Sequence, residues 1–285
     1  MTTETIDPAA ERLAALGHPA RLGAFRLLAR RAPQGVPASE IAGALGVGAS
    51  TLSAHLDQLV RAGLIGRVRH GRSIHYALDL AGTGDLVAYL LGDCCRGRPD
   101  IAERALPEET LQPMPETGFN VLFICTGNSA RSIFAEAILR RDGRGRFNAH
   151  SAGTHAFSEP NPRALAVLEA NGYPTDGLRS KNVSVYEAAD APRFDFVFTV
   201  CDRSANEECP PWPGQPISAH WGVPDPVAVQ GTEAERAQAF NEVFRMLRQR
   251  IHAFIALPMA SLGRISLQGL VDDIGQDKPL PAPYA

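Results

Sequence analysis

Residues 119–132 read FNVLFICTGNSARS, and this stretch decides the fold of the second half of the chain. Residues 119–125 form a short apolar run of the kind that becomes a buried strand. After Cys125 come Thr126, Gly127, Asn128, Ser129 and Ala130, then Arg131 and Ser132, and IFAEAILRR continues at helical spacing. A strand, a C-x5-R-S loop and a helix N-terminus aim successive backbone N–H groups at one spot, which suits a tetrahedral oxyanion. Arg131 adds a bidentate clamp for two of its oxygens. The same donors favour a thiolate. Such settings lower a cysteine pKa from ~8.5 to about 3.5–7.5, so Cys125 is expected to be an ionised nucleophile. Asn128 is read as fixing the loop, and Ser132 as a hydrogen-bond donor to the thiolate or the leaving sulfur.

Downstream, strand and helix patterns alternate: FNAHSAGT, PRALAVLEANG, FDFVFTVC, ISAHW and the long GTEAERAQAFNEVFRMLRQRIHAFIAL. This predicts an α/β unit with a parallel four-stranded sheet, in which ligands sit beyond the carboxyl ends of the strands. Cys125 ends the first strand, Cys201 ends a later one, and Asp225 in GVPDP follows the strand after that. Three chemically active groups therefore converge on one edge.

Through CTGNSARS, HSAGT, TVCDRSANEECP and HWGVPDP, residues 119–258 resemble the low-molecular-weight protein tyrosine phosphatase fold and, within it, arsenate reductases. The resemblance implies that Cys125 attacks arsenate, that Arg131 binds its oxygens and that Asp225 protonates the departing oxygen. It further implies that Cys201 supplies a second thiol, with Cys209 able to resolve a Cys201–Cys209 disulfide for thioredoxin. Two departures from the family bear on this. Ala130 stands where many relatives carry a second loop cysteine, and seven residues separate Cys201 from Cys209, one more than in thioredoxin-coupled members. Closure cost rises slowly with loop length, so a disulfide remains compatible, as does direct attack by glutathione or mycothiol. No tightly bound cofactor is expected, only an external thiol reductant. A phosphotyrosine phosphatase needs Cys125, Arg131 and Asp225 but no redox cysteines, and its relatives usually carry Tyr where Val227 follows Pro226 here. A non-catalytic oxyanion sensor would need only the loop.

The first half reads differently. Apolar residues recur at helical spacing from 9 to 31, broken at Gly17–His18–Pro19. ASEIAGALGV is a short helix with Ser39 as its expected N-cap; a turn at Gly46–Gly48 leads to a helix from Ser50 to Ala62. Two helices joined by a tight glycine turn make a helix-turn-helix. LIGRVRHGRSIHYAL then alternates around Gly71–Arg72 as a β-hairpin bearing Arg67, Arg69, Arg72 and His70. Basic residues on a hairpin can be a solvated edge, but behind a helix-turn-helix they form a wing with an electrostatic footprint for phosphates. The expected unit is a mainly α winged helix-turn-helix.

Residues 8–95 resemble the ArsR-type metalloregulators, dimeric repressors released from DNA by metal or metalloid ions. By that resemblance Ser50, Thr51, Ser53, Ala54 and His55 lie on the exposed start of the recognition helix and contact operator DNA, with Ser50 also able to act as an N-cap. The unit's last helix ends in adjacent Cys94 and Cys95. Free cysteines can be small core residues, or soft thiolates for As(III). The resemblance favours As(III) as effector, although residues 36–62 hold no cysteine and Ile101 and Ala102 occupy the stretch where some relatives place a third thiol.

The assembled expectation has two domains: a regulator over 1–95, a linker over 96–118 marked by four prolines, an enzyme over 119–262 and a tail over 263–285. It joins an As(III)-responsive repressor, a homodimer through its first domain, to an arsenate reductase served by thioredoxin or another redoxin. The 285 residues suit two domains, and 45% hydrophobic with 21% charged residues excludes wholesale disorder and collagen-like repeats. A net charge of −3 gives no global pull toward nucleic acid. Five uneven cysteines exclude a secreted disulfide scaffold. Without a signal peptide or an apolar run of ~20 residues, a cytoplasmic protein with no membrane segment is expected.

Overall fold

The computed structural model describes residues 3–101, 118–157, 159–188, 190–207 and 212–279. The chain divides into two units, Met1–Glu109 and Thr110–Ala285. The linker read at 96–118 therefore falls mostly outside the described residues.

The first unit opens with α1 (Thr3–Leu16) and α2 (Pro19–Arg31). His18 breaks them: its backbone is extended, its Nδ1 accepts the Ala20 N–H at 3.2 Å, and Pro19 starts α2 where a missing N–H costs nothing. β1 (Val36–Pro37), α3 (Ala38–Leu45) and α4 (Ala49–Arg61) follow, then β2 (Ile65–His70), β3 (Ser73–Leu78) and α5 (Leu80–Ala88), which widens into a π-helical turn at Tyr89–Cys94. Gly46 ends α3 in the left-handed conformation at φ 63°, making the tight turn between the two helices. The antiparallel sheet runs β1-β3-β2. Leu27, Leu28, Ile41, Leu52, Leu56, Leu59 and Tyr76 meet in one core. Neither serine acts as an N-cap. Pairing of Val36 and Pro37 with β3 holds the chain extended up to Ala38, so α3 starts before Ser39, and α4 starts at Ala49 behind Gly48, before Ser50.

The second unit is built from β4 (Phe119–Cys125), α6 (Arg131–Asp142), β5 (Phe147–Gly153), α7 (Pro162–Ala170), β6 (Phe196–Thr199), α8 (Asp202–Asn206), β7 (Ile217–His220) and α9 (Glu233–Ala256). Its four strands are all parallel in the order β5-β4-β6-β7. β4 is buried on both faces: Val121, Phe123 and Cys125 join the larger core with Phe134, Phe198, Trp221 and Phe254, while Leu122 and Ile124 join Val183, Phe194 and Val197. Cys125 pairs with Gly153, and Ile124 with Thr199, so the ends of the three strands lie level.

The tail expected over 263–285 is corrected by α10 (Arg264–Gly275), which is part of this core. Leu267, Leu270, Val271 and Ile274 recur at i, i+3, i+4 and i+7 and are buried. The helix covers the open edge of β7. Gln268 Nε2 donates to Ser218 O at 2.8 Å, and Val271 O accepts from Trp221 Nε1 at 2.9 Å. Leu267→Ala is expected to destabilise the second unit by about 2–5 kcal/mol. Ile265→Ala, at a site 91% exposed, should cost under about 0.5 kcal/mol. Urea unfolding followed by fluorescence of Trp212 and Trp221, both in this unit, measures the contrast.

Candidate active site and nucleic-acid interface

Cys125 is 2% exposed at the end of β4. Its Sγ lies 3.0 Å from Ser132 Oγ and accepts the Asn128 N–H at 3.2 Å. Asn128 is fully buried with φ 45°, a left-handed conformation that asparagine tolerates better than most residues. Its Nδ2 donates to Ser132 Oγ and Ser151 Oγ, both at 2.8 Å; its Oδ1 accepts the Lys181 N–H at 2.7 Å and its carbonyl the Ser180 hydroxyl at 2.7 Å. The neighbouring segment runs alongside, with His155 N donating to Thr126 O at 2.8 Å, Phe157 N to Gly127 O at 2.9 Å and Asn161 N to Ser129 O at 2.8 Å. Ala130 precedes α6, and Phe134 N donates to its carbonyl at 2.8 Å. The loop's carbonyls are thus bonded outward, while the N–H groups of Asn128 and Ser132 turn to the sulfur.

Two further groups close on this loop. Arg131 Nη2 bonds Asp225 Oδ2 at 2.8 Å, while Asp225 Oδ1 accepts the Val227 N–H at 3.1 Å. Arg131 and Asp225 are therefore paired with each other across the mouth of the loop. Cys201 is 1% exposed. Its thiol donates to Ser204 Oγ at 3.1 Å and lies 3.4 Å from Thr126 Oγ1. Cys125, Cys201 and Asp225 lie at one edge of the sheet, as their places after the strand ends led one to expect, and Arg131 joins them, while Cys209 lies outside the described residues.

The electrostatics correct one expectation. Burial raises the Cys125 thiol above its ordinary value, and Cys201 beside it raises it further. The Ser132 hydroxyl and N–H and the Arg131 charge pull the other way without reversing the direction. Arg131 is already neutralised by Asp225 in this state, and desolvation of a thiolate outweighs the remaining donors.

In the first unit, Ser50, Thr51, Ser53 and Ala54 are exposed along the start of α4. His55 is not on that face. It shares the i, i+3, i+4, i+7 stripe of Leu52, Leu56 and Leu59, and its ring packs 4.4 Å from that of His18. Burial first, then the charges of His18 and Arg21, lower its pKa. On the wing, Arg67 pairs with Asp57 of α4 at 3.0 Å, Arg69 Nε donates to Gly71 O at 3.0 Å, and Arg72 is exposed at the tip. Cys94 is exposed at the end of the π-helical turn and Cys95 half-buried just after it. No cluster of three or more His, Cys, Asp or Glu side chains able to hold a metal ion occurs among the described residues.

The profile of the low molecular weight phosphotyrosine protein phosphatases matches residues 120–265, just over half of the chain. The chain belongs to this family. A helix-turn-helix domain profile matches residues 16–68, so the protein joins such a domain to a phosphatase-family unit. Similar curated proteins include arsenate reductases of Bacillus licheniformis, 31% identical over 134 residues, and of Shouchella clausii, 32% identical over 134 residues; each alignment takes in 47% of this chain and 93% of the relative. Among solved structures, an arsenate reductase in the phosphate-binding state is 27% identical, with 48% of this chain and 97% of that one covered at a TM-score of 0.39.

Three residues of the phosphatase-family unit escaped the sequence reading. Glu136 is 3% exposed on α6 and accepts from Ser151 Oγ, pairs with Arg140, and lies 3.4 Å from Lys181 Nζ. Ser151 and Lys181 join this buried carboxylate to Asn128. The signal was a glutamate on the apolar face of a helix, in IFAEAI, together with one of only two lysines in the chain.

Iodoacetamide labelling of Cys125, followed by mass spectrometry against pH, checks the electrostatics. Cys201→Ser removes a raising influence and should move the midpoint down, whereas Ser132→Ala removes a lowering one and should move it up. Shifts in the same direction would contradict the assignment.

Proposed function

We propose that the second unit is an arsenate reductase and the first an arsenite-responsive, DNA-binding repressor. The observation that carries the enzymatic reading is Cys201, a buried thiol against Thr126 at the mouth of the oxyanion loop. Hydrolysis of a phosphate ester has no use for it. Reduction of As(V) requires two electrons, and two thiols supply them.

The oxyanion enters the loop and takes over Arg131, which releases Asp225. The Cys125 thiol gives its proton to the released Asp225 carboxylate and its sulfur displaces one hydroxyl from arsenate, which leaves as water with that same proton handed on by Asp225. Cys201 then attacks the Cys125 sulfur, and its thiol proton passes to the departing arsenite. A Cys125–Cys201 disulfide forms, the S–As bond breaks, and its electron pair stays on arsenic, which leaves as arsenite. Two thiols are oxidised and one As(V) is reduced. An external thiol restores the pair, with Cys209 as the internal relay if thioredoxin is the donor and incidental if glutathione or mycothiol is.

In the first unit, α4 presents Ser50, Thr51, Ser53 and Ala54 to operator DNA, with Arg69 and Arg72 of the wing on phosphates. Arg67 is held by Asp57 and reaches phosphate only by leaving that pair. His55 supports α4 from behind. A homodimer through this unit would span two half-sites, and Cys94 and Cys95 take the arsenite that the enzyme produces. The reaction belongs in a reducing cytoplasm. No helix among the described residues is long and apolar enough to cross a membrane.

Arsenate-dependent NADPH oxidation, run separately with thioredoxin and thioredoxin reductase and with glutathione or mycothiol and their redoxins, tests the enzyme. Cys125→Ser should abolish turnover. Cys201→Ser should abolish arsenate turnover while retaining p-nitrophenyl phosphate hydrolysis, and a chain that hydrolyses that ester but never reduces arsenate is a phosphatase. Asp225→Ala, which frees Arg131, should bind inorganic phosphate more tightly yet turn over about 10²–10⁴-fold more slowly. For the regulator, gel-shift affinity for its own upstream DNA should fall with salt and with arsenite. The arsenite response should vanish in Cys94→Ser/Cys95→Ser; an unchanged response removes the sensor assignment.

A further inference from the structure

The side chain of His220 is 3% exposed, and both ring nitrogens are engaged: Nδ1 lies 2.8 Å from Thr199 Oγ1 and Nε2 lies 2.8 Å from Asp202 Oδ1. An ionised carboxylate only accepts, so the proton of that second contact sits on Nε2. Thr199 is the last residue of β6 and Asp202 the first of α8. Between them lie Val200 and Cys201 alone. One imidazole therefore ties both ends of the four-residue segment that carries the second thiol.

The surroundings are shaped to this tie. Gly222 lies against it so closely that a Cβ there would stand 2.4 Å from His220 Nε2 and 2.8 Å from Asp202 Oδ1. The Gly222 carbonyl is held in turn by Arg250 Nη1 at 3.0 Å, and Arg250 is fixed by a bidentate pair with Asp277 at 3.0 and 2.8 Å. The brace thus continues through α9 to Asp277, two residues past the end of α10. On the other side, Cys201 Sγ accepts the Ser204 N–H at 3.4 Å, so the thiol also caps α8. Cys201 has no strand pairing of its own to aim it. Its direction depends on the residues flanking it.

We propose that His220 is a positioning residue for the reductase reaction: by holding Thr199 and Asp202 on one ring, it keeps the Cys201 sulfur beside Thr126 and aimed at Cys125. The inference rests on the reading of Cys201 as the second thiol. It adds no new bond-making step. The step it serves is the attack of Cys201 on the Cys125 sulfur, and misplacement of a reacting atom by about 1 Å can cost roughly 10²-fold.

The test uses the full-length protein with excess arsenate and no external thiol, following the Cys125–Cys201 disulfide by peptide mass. Asp202 is 60% exposed, so Asp202→Ala removes the acceptor without opening the core. Disulfide formation should slow by about 10- to 100-fold, while inhibition of p-nitrophenyl phosphate hydrolysis by inorganic phosphate stays within about twofold. Cys201 should become more readily alkylated by iodoacetamide. Asp202→Asn keeps an acceptor oxygen and should recover most of the rate, whereas Gly222→Ala, which pushes a methyl into the tie, should reproduce the loss. Disulfide formation at the wild-type rate in Asp202→Ala overturns the proposal. So does a loss of phosphate affinity in step with rate, which would mean general distortion. Should the wild-type protein form no Cys125–Cys201 disulfide with arsenate, the second-thiol reading fails, and alkylation alone judges the tie. Faster labelling of Cys201 in Asp202→Ala then supports it, and equal labelling overturns it.

Discussion

A loop that aims its N–H groups at an anion must turn its carbonyls elsewhere and satisfy them away from water. In this protein that constraint falls on Asn128. Its backbone N–H reaches the Cys125 sulfur, its carbonyl takes the Ser180 hydroxyl, and its amide reaches Ser132, Ser151 and the Lys181 N–H. Each such group left unpaired would cost about 1–3 kcal/mol, so the network fixes one loop conformation rather than a family of them. Donors already in place do not have to reorganise when charge arrives, and this makes an oxyanion site effective.

The same unit holds its charges in a self-compensated state. Arg131 is paired with Asp225, and Glu136 with Arg140 and Lys181. Burial pushes the Lys181 ammonium down while Glu136 holds it up. In the proposed reaction, an entering oxyanion competes for Arg131 and so releases Asp225 in the same event. The thiols obey a related logic. Cys201 beside Cys125 adds to the cost that burial puts on ionising the Cys125 thiol.

In the first unit the interior charge is handled similarly. Arg31 is 2% exposed and bonds Gln34 at 3.1 Å and Glu40 at 2.8 Å, joining the end of α2 to the start of α3. This ties the helix-turn-helix to the helices behind it, so that the exposed face of α4 is presented by a braced element. His55 belongs to that bracing rather than to the face.

The local patterns of the chain determined much of this. The strand–loop–helix reading of FNVLFICTGNSARS, the four parallel strands, the helix-turn-helix with its wing, and the convergence of Cys125, Cys201 and Asp225 all follow from periodicity of 2 or 3.6 and from where strands end. Such patterns act between near neighbours, and near neighbours are what a sequence displays. Contacts between distant segments decided the rest. The apolar stripe of α10 was hidden behind a polar end, GQDKPLPAPYA, and became core only because β7 offers an open edge. His55 lost its exposed role to the ring of His18 at the α1–α2 break, and Glu136 acquired a buried network from β5 and the 180–181 segment. The direction of the Cys125 pKa also lies beyond local sequence, because it balances donors from the loop against desolvation by the whole fold. The sequence names the groups that meet at the strand ends, but the packing around them sets how much water they keep and which partners they hold.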